Sequence, residues 1–230
     1  MGPRARDVLA RLTHADLSNV AFPFGAWREI DLAGVIVRAL RVTYVGELGW
    51  ELHIPVECAL AVYERLMEAG KPQGIANAGY RAIESLRLEK GYRAWGSDIG
   101  PDHTPLEAGL GWAVKLAKGI PFLGRDALSA QQSQPLMKRL ACLTVDDANV
   151  VLLGRETIYR DGERVGWLSS GGWGYTVGKN IGFGYVRNAD GVDDTMLTSG
   201  GYELEVATER VPCRFHLGAL YDPRAERVKA

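Results

Sequence analysis

The spacing of apolar positions divides the chain into two textures. From Pro3 to about Gln132, helical and strand patterns alternate. Pro3 suits a first helical turn, and Val8, Leu9 and Leu12 recur after it at helical spacing. Leu60, Tyr63, Leu66 and Met67 form one apolar stripe, which predicts a helix ending near Gly70. A further helix fits GYRAIESLRLEKG, with Ala82, Ile83, Leu86 and Lys90 along one side and Gly91 as its stop. In TPLEAGLGW, Thr104 as N-cap, Pro105 at the first helical position and Glu107 reaching back make a capping box, the signature of a helix start. A last helix is expected near Gly124 to Gln132, before Pro135.

Beyond Met137 the pattern turns to short strands between glycine-rich turns: RLACLTV, ETIYRDGERVGWLSS, IGFGYV, YELEVA and ERVPCRFHL. The Asp161-Gly162 pair between Tyr159 and Val165 is a strong two-residue hairpin signal. So many closely spaced strands predict a small β barrel or jelly roll. The polar segment SAQQSQP, near residue 133, is the expected boundary, giving domains of 1–133 and 134–230.

Strand periodicity singles out RVTYVGELGWELHIP. Arg41 to Val45 and Trp50 to Ile54 are rich in β-branched and aromatic residues, and Gly46, Glu47, Leu48 and Gly49 can form the loop between them. If Val45 pairs with Trp50, Tyr44 lies opposite Glu51. Thr43, Val45, Trp50, Leu52 and Ile54 then share a core face, and Val42, Tyr44, Glu51 and His53 share the other. On that second face an aromatic ring stands beside an acceptor-only carboxylate, with β-carbons roughly 5 Å apart. A flat heterocycle with adjacent N–H donors, such as a pterin or guanine edge, could stack on the ring and donate to the carboxylate. A solvated strand face is the alternative.

Composition narrows the setting. The 230 residues hold enough apolar content for one large domain or two small ones. Lys and Arg total 27 against 28 Asp and Glu, a formal net charge of -1, so no global field favours nucleic acid or an anionic membrane. Cys58, Cys142 and Cys213 are widely spaced and odd in number, as suits free thiols in a reducing compartment. No apolar stretch approaches membrane-spanning length, and MGPRARDVL lacks the apolar segment of a secretory signal, so a cytoplasmic protein is expected.

Familiar catalytic motifs are absent: there is no HExxH, CxxC, GxSxG, Walker loop or GxGxxG. His14, His53, His103 and His216 are scattered, and only His53 falls on the face just described. Asp98, Asp102 and His103 in WGSDIGPDHTP could form an acid/base cluster, but the glycine and proline content reads better as an ordered loop. GGWGYTVGKN is read as a turn, since it lies among strands and no helix follows to hold a phosphate.

Five segments occur together and in order: GPRARDVLARLT, RVTYVGELGWELHIP, SLRLEKGYRAWGSDI, TPLEAGLGWAVKLAKGIPFLGRDAL and LYDPRAERV. Over nearly the whole chain they resemble the C-terminal portion of sarcosine and dimethylglycine dehydrogenases or oxidases. That portion is similar to the glycine-cleavage T-protein, a tetrahydrofolate-dependent aminomethyltransferase. EKGYRAWGSDI is closer to the dehydrogenase branch than to the free T-protein. The fold implied is α+β: partial mixed α/β folate-binding subdomains followed by a C-terminal antiparallel β barrel.

The resemblance implies that Tyr44 and Glu51 hold the folate pterin, and that the module passes a one-carbon unit from a sarcosine- or dimethylglycine-derived iminium to tetrahydrofolate. T-proteins also use an arginine before LRLE, where this chain carries Ile83; Arg81 and Arg87 are the nearby replacements. Core packing is expected for Trp95 and Trp112. In the family an upstream folate-binding segment supplies an aspartate for proton transfer, and the dehydrogenases carry an FAD domain before it. Neither stands before residue 1, so FAD would come from an upstream domain or another chain. The second expectation is a truncated, non-catalytic folate-binding or assembly module.

Overall fold

A computed structural model describes residues 1–230. Two compact units are present: residues 1–90 with 222–230, and residues 91–221. The division by compactness thus falls at Lys90, whereas the composition of SAQQSQP points to residue 133. The reason is that residues 91–137 bond to the strands that follow them, as described below.

The first unit opens with α1 (Ala5–Leu9). Strands β1 (Trp27–Leu32) and β2 (Val35–Leu40) then form a hairpin whose two-residue turn, Ala33-Gly34, takes φ of 56° and 86°. Asp31 Oδ1 accepts from the Gly34 amide at 2.7 Å and locks that turn. The short strand β3 (Glu51–His53) adds antiparallel to β2 at the edge of the sheet. Helices α2 (Ala59–Gly70) and α3 (Tyr80–Lys90) follow, and Gly91 stops α3 at φ 74° as its position predicts. Along α3 the buried residues differ from the expected stripe: Ala82 is exposed, while Ser85 and residues 87–90 are enclosed.

Phe22, Leu32, Val37, Ala39 and Val62 fill this unit's core beside Trp50, which meets the Phe22 ring edge-on at 6.0 Å. Two charges are buried with them. Arg41 is 1% exposed, and its two terminal nitrogens donate to the Phe22 carbonyl at 2.7 Å and the Ala230 main-chain oxygen at 2.8 Å. Lys90 donates from Nζ to Asp222 Oδ2 at 2.8 Å, with both side chains over nine-tenths buried. Burial pushes the Asp222 carboxyl up, but Lys90 and the amides of Glu226 and Arg227 outweigh it and hold the group below its ordinary value.

The second unit starts with turns and α4 (Arg125–Gln132), then β4 (Lys138–Val145), β5 (Thr157–Arg160), β6 (Glu163–Gly174), β7 (Lys179–Arg187), α5 (Asp194–Thr198), β8 (Tyr202–Val206) and β9 (Glu209–His216). The six strands close into an antiparallel barrel in the order β4-β7-β6-β5-β8-β9, as the strand pattern predicts. Leu143, Ile158, Leu168, Val186 and Leu204, all fully buried, fill it. Asp161 and Gly162 take φ of 52° and 85° between paired Arg160 and Glu163, the geometry expected of that dipeptide. Of GGWGYTVGKN, Tyr175 to Gly178 form the β6–β7 turn and the rest pairs as strand on either side of it.

Two details depart from expectation. The Thr104–Glu107 capping box forms reciprocally: the Thr104 amide donates to Glu107 Oε2 at 2.9 Å, and the Glu107 amide to Thr104 Oγ1 at 3.2 Å. Yet no helix propagates from it, because Gly109 turns left-handed at φ 67° after a single turn and Gly111 follows. Trp95 and Trp112, expected in the core, are about three-quarters exposed, at 75% and 74%.

Asp98 ties the 91–137 segment to the barrel. Its carboxylate is fully buried and accepts from the hydroxyls of Ser169, at 2.5 Å, and Ser170 through the same oxygen, Oδ1. Successive strand residues ordinarily face opposite ways, but the β6 bulge between Leu168 and Ser170 turns both serines to one side. Asp98 Oδ2 takes the Ala94 amide at 3.0 Å, and the Asp98 carbonyl takes the Tyr185 hydroxyl at 3.0 Å.

These buried groups define two tests. Asp98→Ala strands the Ser170 hydroxyl and the Ala94 amide, while Ser169 keeps the Phe183 carbonyl, and should lower unfolding free energy by about 3 kcal/mol in urea denaturation. An unchanged midpoint would remove Asp98 from this role. Asp222→Asn should cost about 3 kcal/mol because Lys90 is left buried without its counter-charge. The sign of the pH effect follows from the depressed carboxyl. Its stabilisation is present above the unfolded aspartate value of about 4 and fades as pH falls through the lower folded value. Thermal melts of the variant should lack that acid-side loss.

Candidate functional site

The hairpin expected between Arg41–Val45 and Trp50–Ile54 does not form. Residues 41–50 are irregular, and β3 pairs with β2 so that Leu40, not Tyr44, lies opposite Glu51. The main chain of Arg41 still pairs with the segment before β1, its amide with the Ala26 carbonyl at 2.9 Å and its carbonyl with the Gly25 amide at 2.8 Å; the departure follows, where the Val42 amide folds back to the Leu40 carbonyl at 3.0 Å. Thr43 Oγ1 then accepts from the Val45 amide at 3.2 Å, a local turn that competes with strand pairing. Gly46 sits at φ 80°, and a Cβ there would lie 3.0 Å from the Lys90 side chain, so only glycine fits against that buried stem.

The second half of the predicted alternation holds. Trp50 is buried, Glu51 exposed, Leu52 half-buried, His53 exposed and Ile54 half-buried. Tyr44 is half-buried in the loop, on no strand. Glu51 and His53 therefore keep the open face assigned to them, but their neighbours come from β1 and β2. One row across the sheet is Trp27, Leu40 and Glu51, and the next is Glu29, Arg38 and His53. Trp27, 64% exposed, was not apparent as a member of this surface from the residues around Tyr44. The signal was present in the two apolar-alternating runs WREIDL and VIVRAL, separated by Ala33-Gly34.

The carboxylates near the loop are not equivalent. Glu47 is largely buried and lies 3.5 Å from an Arg227 guanidinium nitrogen. Glu29 faces Arg38 at 3.3 Å in an exposed pair that contributes little to stability. Glu51 makes no hydrogen bond or ion pair, so all its lone pairs are open to a donor from outside. On α3, Ile83 is half-buried, and Arg87 is 1% exposed and held by Glu84 at 2.7 and 3.0 Å. Arg87 is thus committed, while Arg81 is exposed.

The other candidate groups are dispersed. Asp98 is consumed by its serine partners, Asp102 is exposed, and His103 stacks on Tyr185 at 4.3 Å, so they make no acid/base cluster. Burial, then Lys138, lowers the His103 pKa. His216 bonds Thr144 Oγ1 at 2.8 Å, and burial lowers its pKa too. The three cysteines are free, and burial pushes the Cys142 and Cys213 thiols up to about 12, which leaves them unreactive. No group of three or more His, Cys, Asp or Glu gathers to hold a metal. No helix is long and apolar enough to cross a membrane.

Comparison with known proteins places these features. Residues 1–118 match the GCVT N-terminal domain, and residues 138–222 match the glycine cleavage T-protein C-terminal barrel domain. The chain is 46% identical to mitochondrial sarcosine dehydrogenase of Mus musculus over 230 residues, 99% of this chain and 25% of that protein. It is 44% identical to mitochondrial dimethylglycine dehydrogenase of Mus musculus over 205 residues, 89% of this chain and 23% of that one. It therefore spans about a quarter of the length of these curated relatives. The crystal structure of glycine cleavage system aminomethyltransferase T from Bartonella henselae superposes with a TM-score of 0.78 at 27% identity, covering 97% of this chain and 58% of that one. The chain belongs to the glycine-cleavage T-protein family, with an aminomethyltransferase-like fold related to part of the sarcosine and dimethylglycine dehydrogenases.

Proposed function

We propose that this chain is the folate-binding part of an aminomethyltransferase-type module, which passes a one-carbon unit from a methylated amine to tetrahydrofolate. The observation that carries the reading is Glu51: an exposed, unpaired carboxylate on strand β3, seven positions after Tyr44, in a chain of this family. An acceptor-only group suits a pterin edge, which presents adjacent N–H donors. Tyr44, on the loop before β3, would contribute its ring, and Trp27 and Leu40 extend the apolar surface beside Glu51.

Bound tetrahydrofolate would supply the amine nitrogens that accept the one-carbon unit. Glu51 would orient the pterin by accepting its hydrogen bonds, and the strand pairing of β3 with β2 would hold Glu51 in place. Both residues bind; neither is assigned a proton transfer. FAD, where an amine is oxidised first, belongs to a partner domain or subunit. The free cysteines suit a reducing compartment, and we place the chain in the cytoplasm.

A second reading, a folate-binding or assembly module without turnover, is favoured by one feature. Ile83 stands where the resemblance expects an arginine, and Arg87 is already held by Glu84. Formation of methylene-tetrahydrofolate by this chain would rule that reading out.

Calorimetric titration with tetrahydrofolate tests the first. Glu51→Gln keeps the shape and removes the charge, and should weaken binding by about tenfold to a hundredfold, since a hydrogen bond to a charged group contributes about 1.5–3 kcal/mol. Glu57→Gln, a control at an exposed site, should bind as the parent does. Equal affinity of the parent and Glu51→Gln would take Glu51 out of the site.

A further inference from the structure

The chain leaves the first unit at Lys90 and re-enters it at Asp222, and these two residues are bonded to each other. Lys90 Nζ donates to Asp222 Oδ2 at 2.8 Å and to the Asp222 carbonyl at 2.5 Å. Asp222 takes φ of 43°, in the left-handed region that a residue other than glycine adopts at a cost. Three amides hold it there: those of Glu226 and Arg227 donate to its carboxylate at 2.9 and 3.2 Å, and that of Ala225 to its carbonyl at 2.9 Å. The turn of residues 222–227 is thus built around one carboxylate, with Lys90 as its partner from 132 positions away. A buried ion pair adds little net stability over apolar residues of like volume, so stability alone does not account for this one.

The loop that carries Tyr44 rests on this pair. Gly46 lies so close to the Lys90 stem that a Cβ there would come 3.0 Å from Lys90 Cγ and Cδ. The next residue, Glu47, places Oε1 3.5 Å from Arg227 Nη1, on the turn that Asp222 organises. Residues 42–50 form neither strand nor helix, so their neighbours decide their conformation. Two successive residues between Tyr44 and Glu51 are therefore fixed from the same side.

We propose that Lys90, Asp222 and Arg227 form a clasp that positions the Tyr44 loop for its ligand. The proposal rests on the reading of Tyr44 and Glu51 as pterin-holding residues, and names what holds the loop ready. All three are positioning residues, acting through Gly46 and Glu47. Lys90 gives its stem to Gly46 and its ammonium to the turn, and the turn gives Arg227 to Glu47. A loop ordered before binding loses less conformational freedom when the ligand arrives, so the clasp adds affinity without touching the ligand. Because Asp222 and Arg227 follow the barrel strands in sequence, the loop takes its binding form only once the chain has returned from the second unit.

The test measures, on the whole chain, hydrogen exchange of the Val42 and Val45 amides, both bonded within the loop, and calorimetric affinity for tetrahydrofolate. Lys90→Met keeps the stem against Gly46 and removes the ammonium. It should speed exchange at both amides by about tenfold or more and weaken binding by about tenfold, with β1 and β2 still protected. Arg227→Gln, at a more exposed site that leaves the fold intact, should act in the same direction by about threefold. Leu32→Ala, a cavity at the far end of the β1–β2 hairpin, is the control for lost stability and should leave both readings at parental values. Parental loop exchange in Arg227→Gln and in folded Lys90→Met would overturn the clasp, as would equal changes in Leu32→Ala. If the loop loosens but the variants bind as the parent does, the positioning role falls and the folate reading stands. If the parent does not bind tetrahydrofolate, the folate reading falls, and loop exchange still decides whether the clasp holds the loop.

Discussion

A guanidinium stripped of water must find acceptors, and in the first unit Arg41 finds them in two main-chain oxygens, those of Phe22 and Ala230. Its Cζ also lies 5.6 Å from the centre of the Trp50 ring, while Arg6 Cζ approaches the same ring at 5.9 Å and Arg6 bonds the same Ala230 oxygen. Burial, reinforced by the charge of Arg6, lowers the Arg41 pKa from its ordinary value, but an arginine stays charged through such a shift. The main chain of Arg41 still pairs with Gly25 and Ala26, and its side chain points inward in step with Val37 and Ala39. The chain departs from the sheet after Arg41, where the Val42 amide turns back to the Leu40 carbonyl. β3 then has β2 as its neighbour, so Glu51 stands in a row with Leu40 and Trp27.

This explains which parts of the site were legible. Residues 50–54 alternate because their burial is decided by a local rule, apolar in and polar out, which the sequence displays directly. Residues 41–45 carry equally good strand propensity, yet the Arg41 side chain bonds acceptors 19 and 189 positions away and Thr43 closes a local turn, neither of which the alternation of apolar residues announces. The barrel was read well for the opposite reason. Its hairpins are joined by short turns such as Asp161-Gly162, whose geometry is a property of the two residues themselves. The capping box of Thr104 and Glu107 lies between these cases: its hydrogen bonds form as its sequence requires, but a helix also needs residues willing to propagate, and Gly109 ends it.

The carboxylates sort by the same reasoning. Asp98 and Asp222 are buried and saturated with donors, which marks them as structural, however suggestive their neighbourhood of histidine, serine, tyrosine or lysine. Glu47 is largely enclosed and faces Arg227. A carboxylate whose lone pairs are already satisfied inside the protein cannot accept from a ligand without first losing those bonds, at about 1.5–3 kcal/mol for each charged one. Glu51 carries no such debt. Binding capacity in this region is therefore concentrated on one residue by the prior commitment of the others.

The two sides of β3 put different demands on a partner. Outward, Glu51 and His53 present polar side chains on the sheet face that also carries Trp27 two strands away, a surface for a flat, hydrogen-bonding molecule. Inward, Trp50 and Leu52 pack among the apolar side chains of the unit's core, Leu9, Val62 and Leu66 among them. The period of two that separates these faces also couples them. Whatever fixes the backbone of β3 through its inner face narrows the positions Glu51 can take on the outer one. A strand of three residues has few ladder bonds of its own, so the precision with which Glu51 holds a ligand depends on the packing of the other side of that strand.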